Sequence, residues 1–181
     1  MTDLSPLCAL GAPAPRRVSL GALTLAETPD CGLASLALRR DTPPPSLALP
    51  EPGRWQETDG VTAFWTGPGQ WLVEMPGCAE VDAAARLAER APGASVTEQT
   101  DGWVLVEITS TAGAAPVERF LERAVNLDLT RFAPGHATRS TVEHLGVYLL
   151  RRAEDRLGIW GMRSAAESLW HTLETIAGRL E

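Results

Sequence analysis

Proline distribution sets the first limit on this 181-residue chain. Nine of its fourteen prolines fall in the first 53 residues, and Pro43-Pro44-Pro45 followed by Pro50 and Pro52 bars helix and central strand from 42 to 53. Proline fixes φ and donates no hydrogen bond, so that stretch reads as a stiff connector. Ahead of it, residues 18–25 and 33–40 each suit a short strand. Residues 1–53 are therefore expected to form an extended N-terminal arm with short strands and a Pro-rich connector, and residues 54–181 an α+β domain. The arm carries Leu4, Leu7, Leu10 and further leucines as far as Leu38, yet its prolines keep it from closing a core of its own. Those side chains must be buried on the domain or on another chain.

Beyond Arg54 the hydrophobic pattern alternates between the strand and helix periods. Residues 61–65 and 71–75 read as strands joined by Gly67-Pro68-Gly69, a hairpin-length loop. Helical spacing follows over 81–91, with Val81, Ala84, Ala88 and Ala91 expected on the buried face and Pro92-Gly93 as the stop. Residues 95–99 and 102–109 are expected as a second strand pair around Asp101-Gly102, a type I′ turn signal. Pro116 suits the first turn of the next helix, whose Val117, Phe120, Leu121 and Ala124 follow the i, i+3, i+4, i+7 pattern. Strands are then expected at 137–144, 145–151 and 156–160. The last helix opens on Ser164-Ala165-Ala166-Glu167, a capping-box pattern, and its buried stripe is Leu169, Leu173, Ile176 and Leu180. The order ββα ββα βββα with short turns predicts an α+β fold of antiparallel sheets with helices on one face.

Charge and composition remove whole classes of function. Sixteen basic against twenty-three acidic residues leave a net charge of −7, the wrong sign for a nucleic-acid or anionic-membrane partner. All sixteen basic residues are arginine. Without lysine there is no Schiff-base catalysis, no pyridoxal anchor and no P-loop lysine. Gly67-Pro68-Gly69 fails as a dinucleotide motif, because Leu72 stands where a third glycine would fall and a strand follows. Cys8, Cys31 and Cys78 are odd in number and show no C-x-x-C, which favours free thiols in a reducing compartment. The opening Met1-Thr2-Asp3-Leu4 lacks a signal-peptide pattern, and no apolar run approaches the ~18 residues of a membrane span, so a cytoplasmic location is expected.

His136, Glu143, His144 and His171 are the one group of side chains suited to metal or acid–base chemistry, but they show no H-x-x-x-H or H-E-x-x-H spacing. His144 is expected hydrogen-bonded in or near the core. No G-x-S-x-G elbow occurs. No catalytic, cofactor-binding or metal-ligating residue is therefore assigned. Among the six tryptophans, Trp65, Trp71, Trp103 and Trp170 are expected in the core. Trp55, just past the connector, is expected to anchor the arm to the domain or to another chain. Arg139, Arg151, Arg152, Arg156 and Arg163 read as surface charge paired with Glu143, Glu154 and Asp155, or as docking groups. The candidate partner contacts are Leu4, Leu7, Trp55, Arg139 and Arg163.

Several segments, taken in order, resemble one family. They are Leu4-Ser5-Pro6-Leu7, Gly67-Pro68-x-x-Trp71, Thr100-Asp101-Gly102-Trp103, Leu127-Asp128-Leu129 with Phe132-x-Pro134-Gly135, Ala137-Thr138-Arg139 followed by His144, and Arg163-Ser164-x-x-x-Ser168-Leu169-Trp170. Together they are similar to the gamma subunit of heterotetrameric sarcosine oxidase, over roughly residues 60–175. The resemblance implies an α+β fold with ferredoxin-like units, like the folate-binding domain of the glycine-cleavage aminomethyltransferases. It also implies a non-catalytic subunit without its own cofactor, in a complex that demethylates sarcosine to glycine, yields hydrogen peroxide and passes the one-carbon unit to tetrahydrofolate. FAD, FMN, NAD and zinc would sit on the other subunits, with alpha, beta and delta subunits as partners. The alternative is a stand-alone folate-binding or aminomethyltransferase-like protein.

Overall fold

The computed structural model describes residues 6–180. In chain order the strands are β1 (Arg17–Leu20), β2 (Leu23–Glu27), β3 (Cys31–Ala37), β4 (Trp55–Thr58), β5 (Val61–Gly67), β6 (Gln70–Pro76), β7 (Ser95–Glu98), β8 (Trp103–Ser110), β9 (Ala137–Val142), β10 (Leu145–Ala153) and β11 (Arg156–Met162). The helices are α1 (Ala83–Arg90), α2 (Ala114–Ala124) and α3 (Ala166–Gly178). The strands form a six-stranded sheet, β1-β2-β8-β11-β10-β9, and a five-stranded sheet, β4-β5-β6-β3-β7. Every pairing is antiparallel.

The two sheets pack face to face, with helices on the outer face of each. Leu33, Phe64 and Leu72 from one sheet meet Leu105, Leu150 and Trp160 from the other. Strand periodicity sends the neighbouring residues the opposite way, so Leu149 and Ile159 meet Phe120 of α2 and Leu173 of α3. On the far side, Ala34, Leu36 and Val73 pack under Ala83 and Leu87 of α1, and Leu47 of the Pro-rich connector joins them. The expected α+β class is thus observed as four layers, helix on sheet on sheet on helix.

Strand pairing moves the division of the chain away from Gly53. Residues 31–98 supply the whole five-stranded sheet and α1, while β1, β2 and everything from β8 onward make the six-stranded sheet and its two helices. The segment expected as an arm is built into both: β2 pairs with β8, and β3 lies between β6 and β7. Leu23, Leu25, Leu33 and Leu36 are consequently buried, so the expected surplus of apolar surface is largely absorbed by the chain itself. The run expected as one strand over 18–25 is a tight hairpin, because Gly21 takes φ +54 and turns β1 back along β2.

Other local expectations are corrected for physical reasons. The expected hairpin about Asp101-Gly102 does not form. β7 pairs with β3 and β8 with β2 and β11, and residues Thr100–Gly102 make a 3-10 turn between sheets. In α1 the Asp82 side chain accepts from the Ala85 amide at 2.8 Å and fixes the helix start, so Ala83, Leu87 and Ala91 form the buried stripe while Val81 and Ala88 are exposed. The face containing Leu87 removes more apolar area from water than an all-alanine face. Ser164 does not cap α3: it lies in a 3-10 turn over Arg163–Ala165, and Glu167 pairs instead with Arg16 at 2.9 Å. The expected stripe of α2 is buried in full. Trp65, Trp71 and Trp103 are half-buried; of these, Trp71 donates its indole N–H to the Pro50 carbonyl at 2.8 Å and Trp103 to Gln99 at 3.3 Å, which keeps both near polar groups. Trp160 and Trp170 are the buried ones. His144, expected near the core, is exposed in the β9–β10 turn beside Glu143, whose φ is +53.

Candidate functional site

A buried ionic bridge joins the two sheets. Glu74 points from β6 into the interface and accepts from Arg152 of β10, at 2.9 Å from Nη1 and 2.8 Å from Nη2, and from the indole N–H of Trp160 on β11. The Arg152 Nε donates to Glu107 of β8 at 2.8 Å, and Arg156 reaches the other Glu107 oxygen at 3.2 Å. Burial pulls the Arg152 pKa down, but the Glu74 and Glu107 carboxylates outweigh it and hold the guanidinium above its usual range. Gly158 makes the room: a Cβ there would stand 2.9 Å from the Arg152 Nη2. The surface pairing expected of Arg152 is therefore replaced by partners 78 and 45 residues away. The sequence does hold a signal for Glu74, since it is the one polar residue in the apolar run from Trp71 to Met75, most of which must be buried.

Above the Trp160 end of this bridge lies a groove of about 860 Å³. Its position follows from the topology. The chain leaves the six-stranded sheet over residues 28–30 and returns over 99–102, and both crossovers line the groove, with Thr28, Asp30, Thr100 and Asp101 among the lining residues. The link from β6 to α1, bearing Glu80, Val81 and Asp82, forms another side, and the N-terminal segment with Leu7, Pro13 and Pro15 a further one. Cys31, Leu105 and Trp160, all buried, contribute apolar surface from between the sheets.

Its electrostatics are one-sided. Glu27 is buried and accepts from the Leu10 and Arg16 amides, each at 3.1 Å, which ties the N-terminal segment down. Glu98 accepts from the amides of Ala84, Gln99 and Thr100 and from the Thr100 hydroxyl. Partial burial opposes its ionisation, yet these hydrogen bonds prevail and its pKa lies below the usual value. Asp30, Glu80 and Asp101 are exposed. Burial, helped by Glu74, pushes the Cys31 thiol up to about 12, and burial and Glu27 raise Cys8. Both thiols are therefore poor nucleophiles at neutral pH.

The structure brings two of the candidate contacts together at this groove: Arg163 Nη2 donates to the Leu7 carbonyl at 3.0 Å, and both residues line it. Leu4 lies outside the described residues. Trp55 sits elsewhere, on β4, donating to the Arg151 carbonyl at 2.9 Å with its ring 6.0 Å from the Arg152 guanidinium. Arg139 is exposed on β9, an edge strand of the six-stranded sheet. His136 has its Nδ1 2.8 Å from the Ala133 carbonyl, and His144 and His171 are exposed. Among the described residues no group of three or more His, Cys, Asp and Glu side chains is placed to hold a metal ion, and no helix is long and apolar enough to cross a membrane.

No family model and no curated protein matches the chain. Solved structures do. A chain of heterotetrameric sarcosine oxidase from Corynebacterium sp. U-96, in complex with pyrrole 2-carboxylate, superposes with a TM-score of 0.69 at 17% identity, covering 90% of this chain and 88% of that one. Glycine cleavage system aminomethyltransferase T from Bartonella henselae superposes with a TM-score of 0.56 at 14% identity, over 81% of this chain and 44% of that one. The chain thus has the α+β fold of a sarcosine oxidase chain and of part of an aminomethyltransferase.

Proposed function

We propose that this chain is a non-catalytic structural subunit of a sarcosine-oxidase-type complex. The observation that carries the reading is extent: the shared fold takes in 90% of this chain and 88% of the sarcosine oxidase chain, so two chains of nearly one length correspond over most of their residues. The ordered motifs from Gly67 to Trp170 support the same family. In this role the complex is cytoplasmic, with alpha, beta and delta subunits as partners and FAD, FMN, NAD and zinc on those other chains. It oxidises the methyl group of sarcosine as oxygen is reduced to hydrogen peroxide, releases glycine, and passes the one-carbon unit to tetrahydrofolate. This chain contributes binding surface to that assembly.

The test is to purify the full-length tagged chain from its own cells. Stoichiometric recovery of larger subunits, with flavin absorbance and sarcosine-dependent peroxide formation in the complex, is the expected result. A chain that emerges alone, or a complex that forms and turns over normally in cells lacking this chain, refutes the reading. A stand-alone folate-binding or aminomethyltransferase-like protein is the second reading, favoured by the likeness to aminomethyltransferase T, of which this chain spans less than half. Calorimetry showing one-to-one, micromolar binding of tetrahydrofolate to the isolated chain would select it.

A further inference from the structure

We infer that the groove beside the two crossovers receives a basic segment of a partner chain, an apolar side chain flanked by cationic ones. The inference rests on the subunit reading above and names the surface and the chemistry of one contact. Among the described residues four large apolar side chains stand out as exposed: Leu7 (53%), Leu38 (36%), Val81 (38%) and Met162 (47%). Single exposed apolar residues are ordinary. Two of these, Leu7 and Val81, face one concavity, beside the apolar surface of Leu105 and Trp160. That is a seat for an apolar anchor.

The charge around the seat selects what flanks the anchor. Asp30, Glu80 and Asp101 line the groove with exposed carboxylates that make no hydrogen bond or ion pair among the described residues. Asp82 and Glu98 add negative charge from carboxylates already held by backbone amides. Arg163 is the one cation among the described lining residues, and it donates to the Leu7 carbonyl. A concave surface carrying carboxylates of one sign focuses the field, so it draws in a cationic segment and repels an acidic one.

The absence of lysine from this chain makes the test unusually clean. A water-soluble carbodiimide joins carboxylates to amines, so an amide formed at Asp30, Glu80 or Asp101 carries an amine from another chain, the protein's own α-amino group apart. The full-length tagged chain, recovered from its own cells with its partners, is cross-linked and mapped by mass spectrometry. Cross-links from these carboxylates to lysines of one basic partner segment are expected. In parallel, the combined variant Asp30→Asn, Glu80→Gln, Asp101→Asn is expected to retain the partner on the order of tenfold to a hundredfold less well, as three exposed pairs are lost. The control Glu89→Gln, Glu122→Gln, Glu143→Gln makes the same charge change at other exposed positions and should stay within about twofold of the unaltered protein. Thermal melting of both variants checks that the fold is intact. Equal retention by the groove variant and the control overturns the groove assignment and leaves the subunit reading standing. A chain that recovers no partner overturns the subunit reading, and this inference with it.

Discussion

Replacing Arg152 with methionine is expected to cost about 3–5 kcal/mol of folding stability, the range for removing one partner of a buried ion pair. The structure places the change at the costly end of charge substitutions. Arg152 and Glu74 side chains are 11% and 3% exposed, and the guanidinium makes both of its Nη bonds to Glu74. Without it Glu74 keeps only the Trp160 indole, a neutral donor, whereas Glu107 keeps Arg156. Glu74 therefore bears the main cost, as a carboxylate buried without a countercharge. At about 2–4 °C per kcal/mol for a chain of this size, the melting temperature should fall by roughly 6–20 °C. Urea unfolding followed by tryptophan fluorescence reports the same loss, with Trp160 inside the network as an internal probe. The double variant Arg152→Met, Glu74→Gln separates charge from packing. Its amide oxygen still accepts from Trp160 but carries no charge, so it should be more stable than the single variant by about 2 kcal/mol. A single variant that loses less than about 1 kcal/mol, or a double variant no more stable than the single one, would refute the account of a charge-driven bridge.

Three further outcomes follow from the same packing. A chain reduced to residues 54–181 should lack a cooperative thermal transition, because it loses β2 and β3 together with fully buried Leu25, Leu33 and Leu36; a sharp native-like melt would contradict the shared-sheet topology. Gly32→Ala sets a Cβ 2.7 Å from the Cys78 carbonyl oxygen and 3.1 Å from the Ala83 Cβ, so backbone must shift; a loss of about 1–3 kcal/mol in urea unfolding is expected, and an unchanged midpoint would refute it. With its thiol pushed up to about 12, Cys31 should resist alkylation at pH 8, where roughly one thiol in ten thousand is ionised, and react fully only on unfolding; mass spectrometry showing fast native labelling at Cys31 would refute the burial.

What the sequence made legible is what short-range pattern encodes. The stripe Val117, Phe120, Leu121, Ala124 identifies α2 because its partners are chosen by helix period alone, and β10 and β11 are visible because they form a hairpin. The failures share a cause in long-range pairing. Asp101-Gly102 carries a strong turn signal, but β7 finds its edge on β3, some 60 residues earlier, so the turn becomes a crossover instead of a hairpin. Arg152 read as surface charge because its partners Glu74 and Glu107 are remote in sequence, while nearby Glu154 pairs with buried Arg151. The groove was beyond reach for the same reason: its lining comes from five separate segments, around 6–15, 27–31, 79–82, 98–105 and 160–163, brought together only by the fold.

That topology also explains why the groove opens where it does. Residues 31–98 are an insertion between β2 and β8, so the two sheets are tied covalently only through 28–30 and 99–102, on the side of β2, β8, β3 and β7. At the far edges β4 and β9 are tied by backbone instead: the Trp55 amide donates to the Gly135 carbonyl at 3.2 Å and the Ala137 amide to the Gly53 carbonyl at 3.0 Å. Between these borders the Glu74–Arg152 bridge and the apolar interface hold the faces together. The crossovers touch each ladder only at its margin, through the Thr28 amide to the Leu105 carbonyl at 2.9 Å and the Gln99 amide to the Leu33 carbonyl at 2.8 Å, and the side chains of Asp30 and Asp101 are left to solvent. A cleft between the sheets, lined by acidic loop residues, is the geometric result. A cationic segment seated there would bridge loops belonging to both sheets, which gives a partner a grip on the two halves of the molecule at once.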